Sequence, residues 1–364
     1  MPLNATPAYD TFATHVVAWQ KRYGRHELPW QQTCDPYRIW LSEIMLQQTQ
    51  VSTVIGYYQR FLERFPSVQA LAKADQDEVM PYWAGLGYYA RARNLHRCAQ
   101  ELCTKWGGEF PRDPKQIATL PGIGRSTAAA IAAFSWGERS PIMDGNVKRV
   151  FTRYFGIYGQ PNLTATENTL WKTADTVLEH APAQLDMTAY TQGLMDLGST
   201  RCTRGKPDCI NCPLKATCYA QAMSVQHELP VRKTKKVVPE RHCAMLILTN
   251  KNKILLEQQP SPGIWGGLWS LPKYDDADNL RIACTHMGQT THHAQKMASM
   301  LHVFSHFKLH IEPWLILCET PVVTQTNPDR SWVNLDQLSQ MALPAPVKKL
   351  LEGLYPEHLN ADLI

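Results

Sequence analysis

Glu43 lies in a segment whose other side chains are mostly apolar. Ile39, Trp40 and Leu46 stand three or four positions from it, so on a helix they share its side. A carboxylate in such company is partly desolvated, which raises its pKa and favours the protonated form. That is the profile of a general acid. A plain hydrogen bond to the backbone or to Gln47 is the structural alternative. Asp144 follows Pro141-Ile142-Met143 and precedes Gly145-Asn146, with a helix expected from about Val147. Aspartate there reads first as a turn or cap residue. The helix N-terminus would also keep it ionised. Two carboxylates of unequal pKa suit glycosidic bond cleavage, one donating a proton and the other facing an oxocarbenium ion.

A second set of reactive side chains is the run Cys202, Cys209, Cys212 and Cys218, spaced C-x6-C-x2-C-x5-C. Four thiolates on short, uneven tethers suit the corners of a four-iron, four-sulfur cubane. Zinc is the alternative, although it usually takes two C-x2-C knuckles on a longer spacer. Arg201, Arg204, Lys206 and Lys215 surround the cysteines against the single acid Asp208, a composition that favours phosphate contact or simply a solvated loop. The other six cysteines are scattered and read as small buried hydrophobes.

Leu120-Pro121-Gly122-Ile123-Gly124 leads into an alanine-rich segment, Ser126 to Phe134. The glycines permit a tight turn, and the helix that follows adds unpaired N–H groups and its positive end. Together they form an anion site that ignores base sequence; alone, such a turn is often just a turn.

These groups need scaffolding. Apolar residues at spacings of three and four run from Tyr37 to Phe65, and the period predicts one helix stopped by Pro66. Val147–Tyr154 and Ala189–Leu197 repeat the period, and no useful strand alternation occurs in 1–225. Residues 226–241, QHELPVRKTKKVVPER, carry two prolines and a basic run, and read as a linker. Beyond it, Ala244–Thr249, Lys253–Gln258 and Leu309–Leu317 read as strands. The expected organisation is a multidomain chain: an all-α module at 1–225, the linker 226–241, and an α/β domain at 242–360.

Composition agrees with this and excludes other classes. The 364 residues suggest two or three domains, and the net charge of +5 permits a polyanionic partner without requiring one. No apolar run is long enough for a membrane span, and the first residues lack a secretion signal. Ten cysteines without such a signal point to a reducing compartment.

Taken in order, the segments resemble the MutY family of adenine DNA glycosylases, in the helix-hairpin-helix superfamily that includes endonuclease III. The marks are LPW at Leu28–Trp30, WLSEIMLQQTQV at Trp40–Val51, GLGYYARARNLH at Gly85–His96, LPGIGRSTA at Leu120–Ala128, DGNVKRV at Asp144–Val150, the cysteine spacing, and FSHF at Phe304–Phe307. The resemblance implies that Glu43 protonates the adenine ring. Asp144 then stabilises the sugar cation, by its charge or through a transient covalent bond, and Asn146 orients the hydrogen bonds around them. Gln48 and Tyr88 match residues that wedge into the duplex while adenine is flipped out; Thr49 and Leu86 match contacts to the opposing damaged guanine. Trp30 and Gln192 match the adenine pocket. Gly122 and Gly124 match the DNA-binding hairpin, and the four cysteines match ligands of one 4Fe-4S cluster. Flipping makes physical sense because a stacked base hides its glycosidic bond.

Bifunctional relatives carry a lysine where this chain has Ser126, and serine cannot form the imine that lyase chemistry needs. A monofunctional enzyme is therefore expected; Lys148 is assigned no catalysis. WGGLWSLP at Trp265–Pro272 resembles the Nudix (MutT-like) fold, but no glutamate-rich helix follows to hold Mg²⁺. The resemblance implies a domain without pyrophosphatase activity that reads 8-oxoguanine through Ser305 and His306. It further implies a bacterial, cytoplasmic, nucleoid-associated monomer acting on double-stranded DNA with A:8-oxoG or A:G mispairs. The alternatives are a glycosylase for another mispair, such as thymine opposite guanine, and a non-catalytic lesion-binding protein.

Overall fold

The structure is a computed structural model, and it describes residues 7–233, 237–261, 263–289, 294–318, 327 and 329–359. The parts of the expected domain limits that fall on 1–6, 234–236 and 360 lie outside the described residues. The chain forms two compact units, Met1–Lys73 with Asn94–Thr234, and Ala74–Arg93 with Lys235–Ile364.

The helices of the first stretch are α1 (Tyr9–Tyr23), α2 (Pro36–Leu46), α3 (Val51–Arg64), α4 (Val68–Lys73), α5 (Gln76–Val79), α6 (Ala90–Lys105), α7 (Pro114–Ile117), α8 (Arg125–Trp136), α9 (Gly145–Phe155), α10 (Thr164–His180), α11 (Met187–Asp196) and α12 (Tyr219–Met223). No strand occurs among the described residues of 1–225. The core of the first unit is aromatic and aliphatic: Phe12, Phe151, Tyr154, Val177, Tyr190 and Leu194 are all buried in one cluster. In α8 every residue from Ala128 to Ala133 is buried. Its small side chains let it pack between α2 and α11, which brings the helices bearing Glu43 and Gln192 alongside it.

One expectation is corrected here. Tyr37 to Phe65 is not a single helix: α2 ends at Leu46 and α3 begins at Val51. Apolar periodicity continues in both halves, but the polar run Gln47-Gln48-Thr49-Gln50 between them leaves the helical path, and Gln48 takes φ 58°. Asp35 starts α2 by accepting from the Tyr37 N–H, with Pro36 in the first turn; such a cap contributes about 1 kcal/mol.

A second difference concerns residues 74–93. They lie inside the expected helical module 1–225, and by their contacts they group with the second unit. Within that unit Arg93 Nη1 donates to the Gly266 carbonyl at 2.5 Å and Gln258 Nε2 donates to Asp77 at 3.0 Å. Polar tertiary bonds of this kind leave no trace in hydrophobic periodicity.

Among the described residues, the rest of the second unit is an eight-stranded mixed sheet with α13 (Ala277–His286), α14 (Ala345–Leu354) and α15 (Pro356–Leu359). The strands are β1 (Glu240–Asn250), β2 (Lys253–Gln258), β3 (Trp269–Ser270), β4 (Lys273–Tyr274), β5 (Gln295–Lys296), β6 (Met300–Val303), β7 (Lys308–Leu317) and β8 (Arg330–Asn334). Order along the sheet is β3-β2-β1-β7-β5, with β4 on β1, β6 on β7 and β8 on β2. β1 and β7 run parallel from Glu240↔Lys308 to Thr249↔Leu317. β1 is buried from Cys243 to Asn250, as a strand covered on both faces should be. Leu280 and Cys284 of α13 close one face against Ala244, Leu246 and Leu248. β1 already starts at Glu240, two positions inside the stretch read as linker.

Candidate active site

Glu43 lies on α2 and lines a cavity of about 600 Å³ with Trp30, Gln31, Arg25, Phe134 and Gln192, all from the first unit. Trp30 is held by Pro29–Gln31, a single 3-10 turn, and its ring meets Tyr58 edge-on at 5.5 Å. Glu43 keeps some surface toward the cavity, but protein surrounds its carboxyl closely. Burial, with the charge of Asp144 adding to it, pushes the Glu43 pKa up to about 8. The protonated acid is therefore the standing form at neutral pH.

Asp144 is the N-cap of α9: its Oδ1 accepts from the Val147 N–H at 2.7 Å, and its Oδ2 accepts from Asn146 Nδ2 at 3.4 Å. The cap reading of the sequence is met, and the charge of Asp144 bears on Glu43. The expectation that the helix N-terminus keeps Asp144 ionised is opposed by burial. Burial pushes its pKa upward, while the Val147 and Asn146 N–H groups, the Arg149 guanidinium and the Asn146 amide pull the other way. Burial outweighs these donors, so the pKa of Asp144 also stands above the usual carboxylate value.

Ser126 Oγ accepts from the Met143 N–H at 2.9 Å and so ties the start of α8 to the residue before Asp144. Lys148 Nζ is paired with Glu167 at 2.7 Å. Gly122 has φ 76°, and a Cβ on it would stand 2.7 Å from the Asn94 Cβ; only glycine fits that turn. Gly124 is the N-cap of α8 with open space around it.

Gln48 and Tyr88, the wedge candidates, share a strained backbone: φ is 58° at Gln48 and 49° at Tyr88. The left-handed region costs a non-glycine residue about 1–2 kcal/mol, and such strain gathers at functional positions. Tyr88 is 48% exposed. Leu86, two residues before it, is buried, and its carbonyl accepts from Arg91 Nη2 at 3.1 Å. Thr49 N–H donates to the Leu46 carbonyl at 3.3 Å. In the second unit Ser305 and His306 are exposed, with Ser305 Oγ 3.4 Å from His306 Nδ1. Phe304 and Phe307 stack behind them at 4.5 Å, and Trp265, itself at φ 59°, meets Phe304 at 5.7 Å. The WGGLW motif thus contributes a ring to the support of the FSHF loop as well as resembling the Nudix fold.

The four cysteines are unpaired thiols, each half-buried. Burial raises the pKa of Cys209, Cys212 and Cys218, and mutual repulsion, Cys202 included, raises it further, so the four form one electrostatic neighbourhood. Among the described residues no group of three or more His, Cys, Asp or Glu is arranged to hold a single metal ion. A donor set of four thiols and no imidazole or carboxylate fits a cubane, which takes one thiolate at each corner. Buried Arg153 supplies compensating charge: its Nη1 is 3.3 Å from Cys202 Sγ. Arg149 joins this loop to the carboxylate end of α9, donating to the Cys202 carbonyl at 2.7 Å, the Gly198 carbonyl at 2.6 Å and Asn146 Oδ1 at 2.8 Å. Sequence reasoning missed Arg149; its signal was the i, i+3 spacing from Asn146. Of the loop cations, Arg201 is tied to Asp208 at 2.7 Å, whereas Arg204, Lys206 and Lys215 are exposed.

Comparison with known proteins places these features. Residues 41–175 match the HhH-GPD superfamily base excision DNA repair protein family, and residues 243–353 match the NUDIX domain family. An adenine DNA glycosylase of Buchnera aphidicola subsp. Acyrthosiphon pisum is 37% identical over 345 residues, covering 94% of this chain and 97% of that one. The adenine DNA glycosylase of Homo sapiens is 30% identical, covering 93% of this chain and 73% of that one. Among solved structures, a thermostable thymine-DNA glycosylase aligns with a TM-score of 0.53 at 29% identity, over 59% of this chain and 97% of its own. A trapped endonuclease III–DNA complex shares the fold at a TM-score of 0.50 and 20% identity, over 60% of this chain and 98% of its own. No helix among the described residues is long and apolar enough to cross a membrane. With relatives of this identity aligned over nearly its full length, the chain belongs to the adenine DNA glycosylase family.

Proposed function

We propose that this chain is a monofunctional DNA glycosylase that flips out adenine mispaired with 8-oxoguanine or guanine and hydrolyses its glycosidic bond, leaving an abasic site. The observation that carries this is the carboxyl pair: Glu43, with its pKa pushed up to about 8, lines a cavity and feels the charge of Asp144. Glu43 donates its proton to a ring nitrogen of the extruded adenine. The bond to the sugar then breaks with its electron pair leaving on the base. The deoxyribose carries the resulting positive charge, and the Asp144 carboxylate stabilises it. Water adds to the anomeric carbon, and the proton it releases restores the Glu43 carboxyl. Asn146 holds Asp144 in place, and Trp30 and Gln192 line the base pocket.

Serine at position 126, where bifunctional relatives carry a lysine, supports hydrolysis without strand cleavage. Ser126 spends its hydroxyl on the Met143 N–H, and Lys148 is paired with Glu167. Gln48 and Tyr88 act as the wedge, their strained backbone fixing each side chain before DNA arrives. Thr49 and Leu86 touch the opposing base. Gly122 and Gly124 form the hairpin that grips phosphate, with the N-terminal N–H groups of α8 as donors. Ser305 and His306 read 8-oxoguanine, in a Nudix-like domain at 242–360 that follows the helical module 1–225 and the linker 226–241. Cys202, Cys209, Cys212 and Cys218 would hold one 4Fe-4S cluster, which would staple the loop. The protein acts as a monomer.

The test is single-turnover release of base from duplexes with adenine opposite 8-oxoguanine, G, C and T, and with thymine opposite guanine, with and without alkali. The expected result is fast release of adenine opposite 8-oxoguanine and G, with strands cut only after alkali. Release of thymine, or cutting without alkali, contradicts the proposal.

A further inference from the structure

Gln192 has a partner that the mechanism above does not use. Asp196, four residues on in α11, is completely buried, at 0% exposure. A buried carboxylate needs donors, and Arg25 supplies two. Its backbone N–H reaches Oδ2 at 2.9 Å and its Nε reaches Oδ1 at 2.6 Å, while its Nη2 lies 2.6 Å from Oδ1 as an ion pair. The third donor is Gln192 Nε2, at 2.9 Å from Oδ1.

That last bond has a chemical consequence. An ionised carboxylate only accepts, so it is the nitrogen of the Gln192 amide that must face Asp196. The amide is thereby fixed in one of its two orientations, and Oε1 is the atom not committed to Asp196. Gln192 lines the same cavity as Glu43 and Arg25. An amide oxygen in that cavity accepts from an exocyclic amino group. It repels an exocyclic carbonyl, because both atoms are acceptors.

We infer that Asp196 is a positioning residue for base specificity, holding Gln192 as an acceptor for the 6-amino group of adenine and so excluding 6-oxopurines. This rests on the proposed adenine chemistry. It assigns the choice of base to a carboxylate outside the cavity, acting through one amide.

The experiment uses the full chain and two substrates, adenine and hypoxanthine opposite 8-oxoguanine, which differ at the 6-position. Single-turnover rates are measured for wild type, Asp196→Asn, Gln192→Leu and the double variant. Asp196→Asn is expected to lower the adenine-to-hypoxanthine rate ratio by about tenfold or more, since a site that pairs with a donor discriminates strongly against its loss. Gln192→Leu is expected to lower it similarly, and the double variant no further, because both act through one contact. Asp196→Glu, which keeps the acceptor, is expected to retain most of the ratio. Melting temperatures are recorded throughout, and Asp196→Ser stands in if Asp196→Asn does not fold. An unchanged ratio with both rates lowered equally overturns the inference and makes Asp196 a fold residue. Independent, multiplying effects in the double variant overturn it as well. If wild type releases hypoxanthine but not adenine, the inference and the proposed reaction fall together; if adenine is released normally and only the cycle fails, the reaction stands and Asp196 alone is dismissed.

Discussion

Glu43 and Asp144 are both carboxylates, and their surroundings separate them. Glu43 is set among apolar side chains of α2, whereas Asp144 accepts from the donors at the start of α9. Glu43→Gln keeps the shape and removes the proton, so base release is expected to fall by at least about 10²–10⁴-fold while mispair binding persists; a filter-binding and a single-turnover assay check the two halves. The pH dependence has a definite sign. The folded-state pKa of Glu43 is raised from 4.5 to about 8, so between those values the native state holds a proton that the unfolded state lacks. That contribution to stability is full below pH about 4.5 and is lost as pH rises through about 8. Comparison of denaturant midpoints across that range should show a shallower decline in Glu43→Gln than in wild type. Asp144→Asn separates capping from catalysis. Asparagine caps as well as aspartate, so the melting temperature should stay close to wild type while release slows severely. A loss of stability with normal release would leave Asp144 as a cap and nothing more. Glu43 was legible in the sequence because a charge in an apolar stripe stands out. The effect of Asp144 on it was not, since a hundred positions separate them and only the packed helices bring them together.

Helices α9 and α11 were visible from apolar spacing, α2 as part of one longer period from Tyr37 to Phe65, α8 from its alanine-rich run after the glycine turn, and the strands β1, β2 and β7 from their β-branched and aliphatic runs. What spacing concealed was the break after Leu46. Period counts apolar positions, and Val51, Val54 and Tyr58 resume the count without revealing that the polar stretch between follows another path. The hairpin before α8 was readable from its glycines, though the reason for Gly122 is tertiary: a left-handed φ and the Asn94 side chain pressed against it. Gly122→Ala is expected to cost about 1–2 kcal/mol and to weaken DNA affinity more than it slows chemistry on bound DNA. Thermal melts and a split of Kd from single-turnover rate measure this. Equal stability would mean that the turn relaxes freely and that its geometry is not needed.

At the scale of the whole chain, a change from helical to sheet composition was legible, but not the grouping of residues 74–93 with the second unit, within which Arg93 donates to the Gly266 carbonyl. The FSHF turn shows the same limit: its exposed Ser305 and His306 were marked by motif, while the Trp265 and Phe304 rings beneath them emerged only from the fold. Replacing Ser305 and His306 together by alanine is expected to reduce the preference for 8-oxoguanine over guanine, leaving release of adenine opposite guanine nearly unchanged. A retained preference would remove the second unit from lesion reading. The most direct measurement is base release from an adenine opposite 8-oxoguanine duplex by Glu43→Gln beside wild type, under saturating protein so that every duplex is bound. Wild type should free adenine and leave an alkali-sensitive site, and the variant should hold the duplex without freeing it. Normal turnover by the variant would contradict the carboxyl-pair chemistry outright.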